Sequence, residues 1–270
     1  MKSAGSHILV LLIGSVAHCA QFDSEPGYLG LMLNGGGGGG GGAATAIPAD
    51  WHLPDWSSRR VLTFDNSAQT TSFSSFPVLI ALDSTRIDYD KTQNSGQDLR
   101  FIDSTGVAIE HEIEQWNESG TSTVWVNVTG IDAASSSDLI YMYYDNASAS
   151  DGQNASGTWN TDYKGVWHLN SALTDSSSTG NNGTNNGSTD TSGVIQNGRN
   201  FDGTSQYFSV GTDLNTWLGQ TFTVAVWLRT TQTGNATYWQ APGVTGIEEN
   251  GGSDDVFIGW LSNTGTLSVM

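Results

Sequence analysis

The stretch "VAIEHEIEQW", Val107–Trp116, alternates one residue at a time, and its reading decides the fold. Its odd positions are Val107, Ile109, His111, Ile113 and Gln115; its even positions are Ala108, Glu110, Glu112, Glu114 and Trp116. Successive side chains of a β-strand point to opposite faces. The period of two therefore predicts a strand with an apolar face toward a core and an outer face bearing three carboxylates. Neighbours on one face lie about 6.7 Å apart, close to the ~5–5.5 Å that separates the carboxyls of a retaining glycosidase. Glu110, Glu112 and Glu114 are thus candidates for a catalytic pair, for cation binding, or for an ordinary solvated face, and the last is the simplest reading. His111, on the apolar side, reads as a hydrogen-bonded core histidine rather than a base.

Working outward, strand-like runs appear at 61–64, 77–82, 98–103, 122–128 and 138–146, separated by the turn signals "NSGQD", "DSTG" and "NESGTS". In "STVWVNV" (122–128) Val124, Val126 and Val128 form the inner face, leaving Thr123, Trp125 and Asn127 outside. Trp116 and Trp125 are accordingly candidate ligand-binding aromatics. Short strands at regular spacing predict a β-sandwich over 51–155.

Composition agrees. Only 13% of residues are charged, aromatics make up 10%, and no run of apolar residues at helical spacing occurs beyond the N-terminus, so the chain reads as all-β. Nine Lys+Arg against 27 Asp+Glu leave a net charge of −18, which repels nucleic acid and anionic membrane. The one cysteine, Cys19, lies near the N-terminus, so the folded body offers no disulfide, thiolate metal site or catalytic thiol.

"MKSAGSHILVLLIGSVAHCAQ" has an apolar core from Ile8 to Val16, shorter than the ~20 residues that span a bilayer. It reads as a signal peptide over 1–20, with "SVA" (Ser15–Ala17) as the small-x-small cleavage site, and predicts an extracellular, periplasmic or surface location. "VAHC" loosely resembles a lipobox that would anchor Cys19 to lipid, although His18 departs from the small residue expected there. Residues 21–50 contain eight consecutive glycines at 35–42 and read as a flexible tether.

"WSSRRVLTFDN", "FPVLIALDS", "SGQDLRFIDSTGVAIEHEIEQWNESGTSTVWVNV" and "IYMYYDN" together resemble a bacterial secreted domain of unknown function, number 2341, over about 56–146. Asp145 stands where that family usually has glycine. The resemblance implies an extracellular β-sandwich without known hydrolase activity, often placed ahead of a lectin-like domain.

A Ser/Asn/Gly-rich stretch, "SASDGQNASGTWNT", separates this domain from a second one at about 163–270. There "GVWHLN", "LTDSSSTGNNGT", "GVIQNGRNFDGTSQYFSVG" and "FTVAVWLRT" resemble a laminin-G-like, concanavalin A-like jelly roll. In "FTVAVWLR", Phe222, Val224, Val226 and Leu228 share one face, with Trp227 on the other and read as half-buried between sheets. The resemblance implies rim loops that bind glycans or proteins, often with Ca²⁺. By position in the matching motifs, Asp175 and Asp202 are the candidate Ca²⁺ ligands, with turn-capping as the ordinary alternative. Tyr238 and Trp239, in the loop "NATYWQAPG", are further candidates for stacking on a sugar. "DVFIGWLSNTGTLSVM" reads as a hairpin in which the chain stops, so the second domain is expected to be truncated.

These readings predict two β-sandwich domains and a non-catalytic, secreted or surface protein that recognises carbohydrate or another surface ligand. Two alternatives differ in class. The domain pair resembles the extracytoplasmic region ahead of MotA/TolQ/ExbB-type proton channels, and the glutamate strand could serve a retaining glycoside hydrolase.

Overall fold

A computed structural model of the chain describes residues 11–13, 21–23, 50–210, 223–237, 240–247 and 256–269. Among them the architecture is all-β, with one four-residue α-helix and one short 3₁₀ turn. The chain divides into two compact units, Ala17–Asn160 and Thr161–Met270 together with Met1–Val16. Two three-residue strands come first. β1 (Leu11–Ile13), in the stretch read as a leader, pairs within the second unit, and β2 (Gln21–Asp23), in the stretch read as a tether, pairs within the first.

The first unit is a sandwich. β3 (Ser58–Asp65), β4 (Phe73–Leu82), β5 (Arg100–Asp103), β6 (Ala108–Ile109), β7 (His111–Gln115), β8 (Ser122–Ile131) and β9 (Asp138–Tyr144) form two antiparallel sheets, ordered β2-β3-β9-β5-β6 and β4-β8-β7. Both sheets feed one core: Phe64, Phe101, Ile140 and Met142 from the first meet Ile80, Leu82, Val124 and Val126 from the second, all buried. Burying each such side chain contributes about 1.5–3 kcal/mol. The strands follow from the alternation that predicts them. Val124, Val126 and Val128 do face inward, while Trp125 and Asn127 face out.

Two departures from that alternation have local causes. Val107 is 57% exposed rather than packed. The Asp103 carboxylate accepts its N–H at 2.9 Å, and Asp103 N–H donates to the Val107 carbonyl, so a turn claims Val107 before the strand begins. The second departure is a β-bulge between Ile113 and Gln115 against β8. The extra residue, Glu114, shifts the phase of the strand by one. Trp116 therefore turns to the core side, where its ring packs edge-on against Tyr89 at 5.3 Å and closely over Gly96.

Both edges of the β4-β8-β7 sheet carry features that limit further pairing. Pro77 pairs opposite Asn127 and, having no N–H to give the ladder, sits on the outer edge of β4. Two other carbonyls of β4 accept from side chains: Ser75 from Asn160 Nδ2 and Ala81 from Arg86. The edge of β7 is covered by residues 151–154, where Gln153 Oε1 accepts from Ile113 N–H and Asn154 N–H donates to His111 carbonyl. The outer face of β9 is covered by Arg59, whose guanidinium lies 4.4 Å from the Tyr141 ring centroid and 4.9 Å from that of Trp51 and pairs with Asp50 at 3.0 Å.

One buried carboxylate ties the loops together. Asp98, fully buried, accepts from Gln93 N–H through Oδ1 and from Asp145 and Asn146 N–H through Oδ2. Asp145 adopts φ +74°, the left-handed region that glycine occupies most readily. Its own carboxylate accepts from Ser58 Oγ at 2.8 Å. Asp145→Gly is therefore expected to be close to neutral in urea unfolding, strain relief offsetting the lost bond. Asp145→Val, branched and without an acceptor, is expected to lose about 2 kcal/mol or more.

His111 is 1% exposed, its Nε2 has no hydrogen-bond partner, and its ring lies 5.2 Å from that of Phe101. The ring thus lies in the core as the alternation predicts, but Nε2 lacks the hydrogen bond expected of it. Burial, aided by the nearby Arg100 charge and opposed by Asp151, lowers its pKa from 6.5 to about 4. Between those two values the unfolded chain binds a proton that the fold does not, so stability falls as pH drops from 6.5 toward 4 and is flat above. At ~1.4 kcal/mol per pH unit the full effect is ~3 kcal/mol. Urea midpoints of His111→Gln followed over this window should fall less steeply than those of the natural chain; equal slopes would refute the assignment.

The second unit is built from short antiparallel pairings. β10 (Gly165–Trp167) and β15 (Val224–Val226) flank β1; β11 (Thr184–Asn186) pairs with β14 (Tyr207–Ser209), and β12 (Thr189–Ser192) with β13 (Asn197–Asn200). β16 (Thr245–Ile247), β17 (Val256–Leu261) and β18 (Leu267–Val269) complete the set, the last two forming the anticipated hairpin. Trp167, Leu169 and Leu173 make its buried core, against Phe201, Phe208, Val224 and Val226. Trp227, read as half-buried, is instead 57% exposed, because the ladder of β15 ends at Val226.

Candidate functional site

The outer face of β4-β8-β7 gathers the chemistry-bearing side chains of the first unit. Register places Glu112 opposite Trp125, with Leu79 of β4 on the other side. Glu114, the bulged residue, keeps the outward side that the alternation gives it: its Oε2 accepts from Trp125 Nε1 at 2.7 Å. Residues 151–160, read from the sequence as a connector, fold back over this face. Asn154 caps α1 (Ala155–Thr158) by accepting from Gly157 N–H, and Asn127 Nδ2 donates to the Gly157 carbonyl. The turn delivers Trp159, 1% exposed, whose Nε1 donates to Glu112 Oε2 at 2.7 Å. The two indoles meet at 5.0 Å between centroids, tilted by 54°.

The three glutamates therefore have different surroundings. Glu110 is exposed, with Gly157 close beside its side chain; Glu112 is half-buried; Glu114 is 7% exposed. The plain solvated face anticipated from the alternation is overturned for the last two, because the returning segment and the Trp125 ring cover it. Chemically, each of these two carboxylates holds an indole N–H and so fixes the orientation of a ring. Trp116, grouped with them by spacing, is carried away by the bulge and packs half-buried against the core. Trp125 stays outward and half-buried.

The nominated acids of the second unit also differ from each other. Asp175, 6% exposed, accepts from Val166 and Ser177 N–H through Oδ1, and from Ser177 Oγ, Thr179 Oγ1 and Asn181 N–H through Oδ2. Five protein donors thus converge on one carboxylate. Asp202 is exposed and gathers the N–H groups of Thr204, Ser205 and Gln206, which hold its pKa below the usual carboxylate value. It caps the turn in which Gly203 adopts φ +68°. Among the described residues no three His, Cys, Asp or Glu side chains are grouped to hold a metal ion. Nor is any helix among them long and apolar enough to cross a membrane. Cys19, the glycine run, Tyr238 and Trp239 lie outside the described residues.

Sequence reasoning missed Trp159, Thr123 and Asp98. Asn154 followed by a short turn was the readable cap signal for the first. Nothing in the local pattern marks the other two.

Residues 95–217 match the model of a family described as Domain of unknown function (DUF2341). Over those residues the chain is similar to DUF2341. The match begins later and ends later than the resemblance read over 56–146: it takes in β5 through β9, the returning segment with Trp159, and the Asp175 loop. The buried Asp98, the paired indoles and the Asp175 hub thus all fall within the DUF2341 match. No curated protein and no solved structure matches the chain.

Proposed function

We propose that this chain is a non-catalytic recognition protein, secreted or held at the cell surface, whose ligand is carbohydrate. The observation that carries the reading is Trp125, half-buried on an outward sheet face, its ring pinned by Glu114 and backed by the buried Trp159, which Glu112 holds in turn. Rings oriented before a ligand arrives lose little freedom on binding, and aromatic faces suit the apolar side of a sugar. Glu112 and Glu114 act in this reading as holders of the rings, not as acid and base. The N-terminal apolar stretch supports export. Trp227 and the loop around Asp202 offer the second unit a separate surface.

The test is a glycan array probed with the full chain, once with Ca²⁺ and once with EDTA. Binding to a defined glycan class is the expected result, and its response to EDTA decides whether Ca²⁺ takes part. Silence under both conditions, from protein shown to be folded, would overturn the reading. Release of reducing sugar from a bound glycan, lost in Glu112→Gln or Glu114→Gln, would replace it with hydrolysis.

A further inference from the structure

On the strand that presents Trp125, two neighbours on the same face carry buried polar atoms without a hydrogen-bond partner. These are Thr123 Oγ1, on a residue 8% exposed, and Asn127 Oδ1. Thr123 pairs across β7 with Gln115 and across β4 with Ala81, and Asn127 pairs with Pro77. The floor is therefore apolar on the β4 side and acidic on the β7 side. A sequestered hydroxyl or amide oxygen left without a partner destabilises the fold by about 1–3 kcal/mol. Buried polar groups are paired in the great majority of proteins. Two such atoms on either side of a preoriented indole are therefore a signature of a ligand that supplies the missing donors.

We propose that the outward face of β8 around Trp125 is the glycan-binding site, and that it takes an uncharged sugar whose hydroxyls donate to Asn127 Oδ1 and Thr123 Oγ1 while its ring lies against the indole. This deepens, and rests on, the recognition reading above. The chemistry excludes the alternatives. Glu112 and Glu114 border the face, so an anionic sugar or a phosphate would meet two carboxylates, within a chain of net charge −18. An apolar ligand would leave both orphan oxygens unsatisfied.

The experiment is a titration of the full chain, followed by tryptophan fluorescence and by calorimetry. The probes are laminarihexaose, cellohexaose, xylohexaose and mannohexaose, with oligogalacturonate as the anionic counterpart. At least one neutral probe should bind, and oligogalacturonate should not. Thr123→Val, which keeps shape and removes the hydroxyl, should weaken binding by about tenfold. Trp125→Ala should abolish it, and Val194→Ala, at an exposed position of the second unit, should leave it unchanged. Thr123→Val preserves the packing, so the test stands even if Trp125→Ala fails to fold. Binding that survives Thr123→Val and Trp125→Ala would overturn this site while leaving the recognition reading intact, the more so if Trp227→Ala removes it. Preference for oligogalacturonate would overturn the ligand class. No binding by any probe, together with a silent glycan array, would sink the recognition reading itself.

Discussion

Asp175→Ala is expected to unfold the loop that follows β10 and to lower the stability of the second unit by at least ~3 kcal/mol. Val166, Ser177 and Asn181 would lose the acceptor for their backbone N–H groups, and Ser177 and Thr179 the acceptor for their hydroxyls. Buried donors cannot turn to water without opening the fold, so each unmet group adds its own penalty. Asp175→Asn should recover only part of the loss, because its amide NH₂ would face donors where a carboxylate oxygen had accepted. Both variants are read by urea unfolding of the full chain, scored on the transition of the second unit since two units need not melt together. Since protein donors already converge on the carboxylate, Ca²⁺ should leave the natural chain's midpoint unchanged. A midpoint that rises with Ca²⁺ and not in Asp175→Ala would make Asp175 a metal ligand after all.

Gly165→Ala should be nearly as damaging, for a steric reason. A Cβ at Gly165 would overlap the ring of Trp167, two residues on. That ring is fully buried, donates from Nε1 to the Asn181 carbonyl at 2.9 Å and lies 6.3 Å from Phe208, so it has nowhere to go. Overpacking of this kind costs about 1–3 kcal/mol, and Trp167→Ala, which opens a cavity instead, about 3–5 kcal/mol. Gly165→Ala combined with Trp167→Leu should be less destabilised than the two single losses added together, because the smaller side chain makes room for the methyl. Additive losses in urea unfolding would show that the two positions are not coupled.

The strands were legible because each buries one face. Val124, Val126 and Val128 on β8, and Ile140 and Met142 on β9, repeat with the period that burial demands. What shifted the phase was not legible. The bulge at Glu114 leaves no mark on the pattern of "EHEIEQW", yet it sends Trp116 to the core and leaves Glu112 and Glu114 on the face with Trp125. The segment 151–160 looked like a mere connector because most of its own residues are small and polar. Its order comes from distant partners: Arg100 holding the Ser150 carbonyl, Ile113 meeting Gln153, and Glu112 meeting Trp159. Trp227 was misjudged for the opposite reason: its strand pattern runs on past the point where a pairing partner ends. Local pattern reports which residues face inward; it does not report which distant segment covers the outward face.

The two buried aspartates have a consequence for the conditions under which this chain holds together. Asp98 and Asp175 gather amide dipoles inside the protein, where dissolved ions do not reach. The chain as a whole carries a net charge of −18, and many of its described carboxylates, such as Asp65, Asp132 and Asp202, are exposed and repel one another. Added electrolyte shortens the reach of that repulsion to about 10 Å at 0.1 M and ~3 Å at 1 M, while leaving interior bonds almost untouched. Brine should therefore tighten the molecule rather than loosen it, with a thermal midpoint that climbs as sodium chloride is raised from millimolar to molar; a falling midpoint would mean that exposed ion pairs carry more of the fold than these internal anchors do.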